Sequence, residues 1–153
     1  MTNTIKLFIL FLLTISHLCF AIEDKYSKTN YYSDNEIEIS YQYKNCEYLE
    51  QFNKEFVILE IVNKTSKEIK LSWKELLWYD NNCINCEQEE DEFRKEIILK
   101  GKETLIGDCN SYNNLRIFSK LTEKLENMPG VRKESLQKMT GFEIKNIRKV
   151  ENE

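Results

Sequence analysis

The stretch FVILEIVNKTSKEIKLSW, residues 56–73, decides the fold class. Residues 56–62 form a nearly continuous apolar run rich in β-branched side chains, which predicts a central strand covered on both faces. Residues 63–68, NKTSKE, are polar and typical of a turn. Apolar residues then return at every second position through Trp73, which predicts a second, half-buried strand. The spacing predicts that these two strands pair as a hairpin.

The flanking sequence repeats this pattern of short strands and turns. Residues 36–43 alternate strictly between apolar and polar side chains, and the alternation after residue 69 continues to Tyr79. Further strands are predicted at 93–99, 104–108, 115–118 and 142–150, the first two joined as a second hairpin through Gly101. Apolar residues at helical spacing predict one or two short helices near 119–140. Six or seven strands of this kind predict a mainly β protein, an antiparallel β-sandwich.

Two segments give the chain a resemblance to a known family. Residues 56–73 combine an apolar strand ending in NKT with a strand that carries a tryptophan, and EIILKGKETLIGDC, residues 96–109, is similar to a later hairpin. Over residues 36–150 the chain resembles an immunoglobulin-like β-sandwich module. The resemblance implies the architecture alone, because an immunoglobulin domain has a cysteine in the strand before the tryptophan and residues 56–62 contain none. The whole chain also resembles small uncharacterised exported proteins of AT-rich Gram-negative bacteria, which implies no activity.

The first residues have the pattern of a secretory signal peptide. Lys6 precedes an apolar run that ends near the small residue Ala21, and charged residues follow from Glu23. We therefore expect residues 1–21 to be a cleaved signal, residues 22–35 a loose polar leader and residues 36–150 a single domain. A lipid anchor through Cys19 is the alternative, although Leu18 stands where such a site has a small residue. After cleavage we expect no membrane span.

The charge and the histidine count exclude several function classes. Without residues 1–21 the chain has 21 basic and 26 acidic residues, a net charge of about −5, which disfavours nucleic acid and anionic membranes as partners. The single histidine, His17, lies in the predicted signal. No imidazole remains for a Ser-His-Asp or Cys-His arrangement. We expect a monomer that is not an enzyme and has no cofactor.

Four cysteines follow the predicted signal: Cys46, Cys83, Cys86 and Cys109. Chain direction through the predicted strands brings all four to one end of the sandwich, where they could form two disulfides or a four-thiolate zinc site. Export favours disulfides. The favoured pairing joins Cys46 to one cysteine of the CxxC pair and Cys109 to the other. A tight Cys83–Cys86 ring with a Cys46–Cys109 bridge is the alternative. Neighbouring carboxylates raise a thiol pKa, which argues against a reactive CxxC thiolate.

Two other features bear on function. The acidic run Glu87, Glu89, Glu90, Asp91 and Glu92 could ligate calcium or serve a small carboxylate enzyme, but it matches no calcium-loop pattern, and a solvated loop is expected. Strand parity places Leu76 and Trp78 on the face opposite the core, where they are either covered or form a partner contact. The sequence thus predicts an exported, periplasmic or secreted, disulfide-bonded interaction or cell-envelope module with an unidentified protein or envelope partner. A lipid-anchored protein and a small enzyme or metal-binding protein are the alternatives.

Overall fold

The computed structural model describes residues 26–47, 54–87, 94–110, 114–121 and 138–151. The predicted signal with Cys19, residues 88–92 of the acidic run and residues 122–137 of the predicted helical segment lie outside these ranges. The described ranges contain no helix, and residues 119–121 and 139–140 belong to strands. The described ranges contain nine strands: β1 Thr29–Ser33, β2 Ile37–Cys46, β3 Lys54–Asn63, β4 Ile69–Tyr79, β5 Asn82–Cys83, β6 Arg94–Leu99, β7 Thr104–Ile106, β8 Arg116–Leu121 and β9 Met139–Glu151.

The strands form two antiparallel sheets. In sheet A, β1, β2 and β3 are neighbours in that order, and β7 and β8 pair with the other side of β3 at different heights. In sheet B, β4 is central, with β9 on one side and β6 and β5 on the other. This confirms the predicted mainly β, antiparallel sandwich, and the described part of the chain has nine strands where six or seven were predicted.

The core lies between the two sheets. Val57, Leu59 and Ile61 project inward from β3, Leu71 and Trp73 project inward from β4, and all five are 0% exposed. Each such side chain contributes about 1.5 to 3 kcal/mol on burial. The alternation in the sequence therefore identified the inward positions of β4, whereas the continuous apolar run of β3 did not distinguish its inward from its outward positions.

The two predicted hairpins are wrong, because both connections cross from one sheet to the other. β3 belongs to sheet A and β4 to sheet B, while β6 belongs to sheet B and β7 to sheet A. The apolar faces of β3 and β4 are thereby opposed across the core, which a shared sheet would not allow. Periodicity fixes which residues face inward but not which sheet a strand joins.

Asn63 joins the two crossing connections. The side chain is 0% exposed, and its Nδ2 donates hydrogen bonds to the carbonyl oxygens of Lys67 at 2.7 Å, Leu99 at 3.3 Å and Lys100 at 2.9 Å. Its Oδ1 accepts from the Thr65 N–H at 2.9 Å. This turn chemistry replaces the strand pairing that a hairpin would supply.

The connections also touch through their backbones. The Lys102 N–H donates to the Thr65 carbonyl at 2.8 Å, and a Cβ added to Gly101 would lie 2.1 Å from the Ser66 carbonyl oxygen. Only glycine fits at that approach. The polar turn residues at 63–68 and 100–103 thus hold two connections in contact at one end of the sandwich.

One side of the sandwich is closed by β1, which lies inside the predicted loose leader. The Tyr31 hydroxyl accepts a hydrogen bond from the Ile144 N–H at 2.7 Å and donates to the Ile144 carbonyl at 3.4 Å. Its ring stacks on Phe142 with 5.7 Å between centroids. Tyr31 therefore satisfies backbone groups on the edge of β9, and strand pairing begins seven residues before the predicted domain start at residue 36.

Charges reinforce this closure. Lys149 of β9 forms ion pairs with Asp34, at 2.7 Å, and with Glu36. Hydrogen bonding to Asp34 and Glu36 raises the pKa of Lys149. Burial acts to raise the pKa of the Asp34 carboxyl, but hydrogen bonds from Lys149, Ile37, Tyr32 and Glu36 together hold that pKa well below its ordinary value. The two sheets are thus tied by an ionised pair.

A second apolar cluster covers part of the outer face of sheet A. Phe56 is 7% and Ile58 2% exposed, and both pack with Cys46. The Arg116 guanidinium lies 5.1 Å from the Phe56 ring centroid and donates a hydrogen bond to the Cys109 carbonyl. This cluster confirms that the first half of β3 is covered on both faces, as its continuous apolar run predicts, whereas the outward side chains of Glu60 and Val62 farther along are only partly buried.

Candidate interaction surface at the end of sheet B

All four described cysteines are paired in two disulfides. Cys46 is bonded to Cys109 with a Cα–Cα distance of 5.5 Å, and Cys83 to Cys86 with 5.7 Å. The favoured crossed pairing is therefore wrong, and the alternative pairing is present. Chain direction brings the cysteines to one end, but Cys46 lies in the cluster outside sheet A while Cys83 pairs in register with Trp78 in sheet B. Sheets pack about 10 Å apart, and a disulfide needs Cα atoms within about 7 Å.

The Cys83–Cys86 ring follows a two-residue hairpin turn. Asp80 and Asn81 have φ angles of 49° and 65°, the left-handed conformation that both residues of a type I′ turn require. Asp and Asn tolerate this conformation better than most side chains. The turn returns the chain along β4 as β5, so that Cys83 lies beside Trp78. Residues 80 and 81 are the sequence signal for this hairpin, which was not predicted.

Asn85, inside the disulfide ring, attaches that ring to β4. Asn85 is 1% exposed, its Nδ2 donates to the Glu75 carbonyl at 2.7 Å, and its Oδ1 accepts from the Leu77 N–H at 2.9 Å. These β4 backbone groups lie between the last residue paired with β6 and the first paired with β5. One side chain therefore replaces a missing strand segment, and the ring is held against the sheet.

Trp78 lies between this ring and a glycine. On the outer face of sheet B, Trp78 pairs in register with Cys83 of β5 and with Gly141 of β9. A Cβ added to Gly141 would lie 3.9 Å from Cε3 of Trp78, an ordinary van der Waals contact. The missing side chain at Gly141 leaves space next to the indole. Leu76, on the same face, is only 8% exposed, so Trp78 is the more accessible of the two predicted contact residues.

This space is a cleft of about 300 Å³. Its lining residues are Trp78, Asn81, Thr140, Gly141, Phe142 and Glu143. Thr140 Oγ1 accepts from the Asn81 N–H at 3.0 Å and donates to the Trp78 carbonyl at 3.4 Å, which joins the two strand ends. Glu143 forms an ion pair with Lys145 at 2.7 Å. The cleft thus combines an aromatic side chain with amide, hydroxyl and carboxylate groups, and we call it the Trp78 cleft.

A buried carboxyl lies on the opposite, inward face of β4. Glu75 is 4% exposed and accepts a hydrogen bond from Trp73 Nε1–H at 3.2 Å. Burial raises the pKa of Glu75 to about 7, against the lowering effects of the Trp73 hydrogen bond and of Lys95. Burial, and then Glu75, raise the pKa of Tyr79. Glu75 was not among the predicted site residues, although it has the same strand parity as the core residues Trp73 and Tyr79.

Two further properties of the described ranges concern metals and membranes. In these ranges, no three His, Cys, Asp or Glu side chains are placed to hold a metal ion. Of the predicted acidic run only Glu87 is included, and it is exposed. No helix in the described ranges has the length and apolar character needed to cross a membrane.

The fold and disulfides define a small, disulfide-bonded, antiparallel β-sandwich protein. No known family model matches the chain, and no curated protein matches it. Among solved structures, it is similar to the crystal structure of a DUF1425 family member from Shewanella sp. pv-4, with 13% sequence identity over 82% of this chain and 91% of that chain, and a TM-score of 0.40. That likeness assigns no activity and no ligand.

Proposed function

We propose that this chain is an exported, non-catalytic interaction module of the cell envelope, with an immunoglobulin-like sandwich and the Trp78 cleft as its contact surface. The observation that carries export is the pairing of Cys46, Cys83, Cys86 and Cys109 in two disulfides. Such bonds persist in oxidising compartments and are rare in the cytosol. The apolar segment before Ala21 supports the same destination.

A non-catalytic role is supported by the environment of Glu75, a buried carboxyl whose pKa is raised. A general acid needs a pKa near the working pH, which Glu75 has. It also needs access to a substrate. Glu75 is 4% exposed, its oxygen is hydrogen-bonded to the fully buried Trp73, and it does not line the Trp78 cleft. Its position therefore fits a core residue.

The test of export is the intact mass of the chain after cell fractionation, with and without reductant. We expect an envelope or secreted product that lacks residues 1–21 and gains two hydrogens for each of two disulfides on reduction. A product that retains Cys19 with an added acyl mass supports the lipid-anchored alternative. A cytosolic product that retains Met1 and has free thiols refutes the proposal.

A further inference from the structure

The Trp78 cleft has a pre-formed aromatic wall. The indole is flanked on one side by Cys83, which the Cys83–Cys86 bond and the buried Asn85 hold against β4. On the other side Gly141 has no side chain to cover the ring. A ligand therefore meets a tryptophan whose neighbours are already fixed, which lowers the entropic cost of binding.

The polar groups around this wall are mixed donors and acceptors. Asn81 is exposed and contributes a carboxamide, which can donate and accept. The Thr140 hydroxyl, which already donates to the Trp78 carbonyl and accepts from the Asn81 N–H, contributes its second lone pair as an acceptor, and Glu143 contributes carboxylate oxygens. An apolar ring face bordered by such groups matches a ligand with apolar C–H faces and a rim of hydroxyl groups. Saccharide rings have this chemistry.

The charges near the cleft disfavour a cationic ligand, the other class that tryptophan binds well. The Glu143 carboxylate is already paired with the ammonium of Lys145 at 2.7 Å. Two residues farther along β9 than Glu143, Lys145 is paired in register with Lys74 of β4. A second cation beside Trp78 would meet these positive charges, whereas exposed cation–π contacts are worth only about 0.5 to 1 kcal/mol.

We infer that the Trp78 cleft binds a saccharide, with a sugar ring packed on the indole of Trp78 and its hydroxyl groups hydrogen-bonded to Asn81, Thr140 and Glu143. This inference rests on the proposed function, because it assigns a ligand class to the same surface. An exported protein meets polysaccharides and glycans that a cytosolic one does not.

The two tryptophans of the chain provide a direct test with an internal control. Trp73 is 0% exposed and donates its indole N–H to Glu75, whereas Trp78 lines the cleft. The ¹⁵N-labelled protein is titrated with β1,4-linked oligomers of glucose and of N-acetylglucosamine, and the two indole N–H resonances are followed. We expect one of these oligomers to shift the Trp78 signal in a saturable way and to leave the Trp73 signal in place.

Variants identify the surface that responds. Trp78→Ala is expected to weaken binding by about tenfold or more, since it removes the packed ring, while Trp78→Phe retains most of the affinity. Gly141→Leu keeps the indole but fills the space beside it, and it is expected to abolish binding. Val150→Ser is the matched control, because Val150 is 57% exposed on the same face at the far end of β4 and β9.

Three results overturn the inference. The first is an unmoved Trp78 resonance at millimolar concentrations of both oligomers in protein that is folded and has both disulfides. The second is equal saccharide affinity in the parent, Trp78→Ala and Gly141→Leu chains. The third is a saturable Trp78 shift with tetramethylammonium and none with the saccharides, which assigns the cleft to cations. These results leave the export proposal standing, whereas free thiols in a cytosolic product refute export whatever the titration shows.

Discussion

The substitution Glu75→Gln tests whether a carboxyl is held protonated in the core. A raised folded-state pKa means that the folded chain binds a proton that the unfolded chain has released, so stability is lost as pH rises. The pKa of Glu75 is raised from 4.5 to about 7. Each pKa unit is worth about 1.4 kcal/mol, so deprotonation of this carboxyl as the pH rises from about 5 to about 8 should lower the free energy of unfolding by about 2 to 3 kcal/mol.

Glutamine removes the titration but retains an oxygen that accepts the Trp73 Nε1–H hydrogen bond. We therefore expect the free energy of unfolding of the parent, measured in urea, to fall between about pH 5 and about pH 8 by about 2 to 3 kcal/mol more than that of Glu75→Gln. Relative to the parent, the glutamine variant is thus more stable at the higher pH than at the lower pH. Glu96→Gln, which removes a carboxylate whose side chain is 52% exposed, is the control. A Glu75→Gln difference that is the same at both pH values would falsify the protonated core carboxyl.

Three further predictions concern stability. Replacing Cys46 and Cys109 by serine removes a disulfide with a sequence separation of 63. The free energy of unfolding, measured by urea titration, should therefore fall by about 4 kcal/mol. A loss under about 1 kcal/mol contradicts this prediction. Gly107→Ala should lower the thermal midpoint of unfolding sharply, because the added Cβ would lie 2.2 Å from the Leu115 carbonyl oxygen. Gly141→Ala is the control and should leave the midpoint almost unchanged, because its Cβ would have its nearest contact at 3.9 Å. Equal midpoints in the two variants refute the steric argument. Asn85→Ala should lower the free energy of unfolding by about 1 to 3 kcal/mol and speed hydrogen exchange at the Leu77 amide, because the Glu75 carbonyl and the Leu77 N–H of β4 lose their partner. Unchanged exchange at Leu77 contradicts the assignment of Asn85 as that partner.

The surroundings of Trp78 illustrate how far the sequence could identify the candidate site. Alternation placed Trp78 on the outer face of its strand, because side chains on a strand alternate with period two. The glycine beside it comes from β9, more than sixty residues later, through a pairing that no local pattern encodes. The Asp80-Asn81 turn had a local signal, since both side chains tolerate the left-handed conformation. The Asn85 contacts depend on a gap between β6 and β5 that exists only after the sheet assembles.

The sequence by itself determined the β class, the inward residues of β4 and the four cysteines, because alternation and composition are local properties of the chain. Tertiary structure decided the sheet to which each strand belongs, and with it the pairing of those cysteines. The turn residues at 63–68 would equally suit a hairpin. The physical reason for the crossing is the buried Asn63 side chain, whose hydrogen bonds to the carbonyl oxygens of Lys67, Leu99 and Lys100 hold the chain in a connection between the two sheets. Which face of which sheet Cys46 and Cys83 occupy follows from that crossing, and a bridge forms only where two Cα atoms come within about 7 Å, as they do in Cys46–Cys109 at 5.5 Å and Cys83–Cys86 at 5.7 Å.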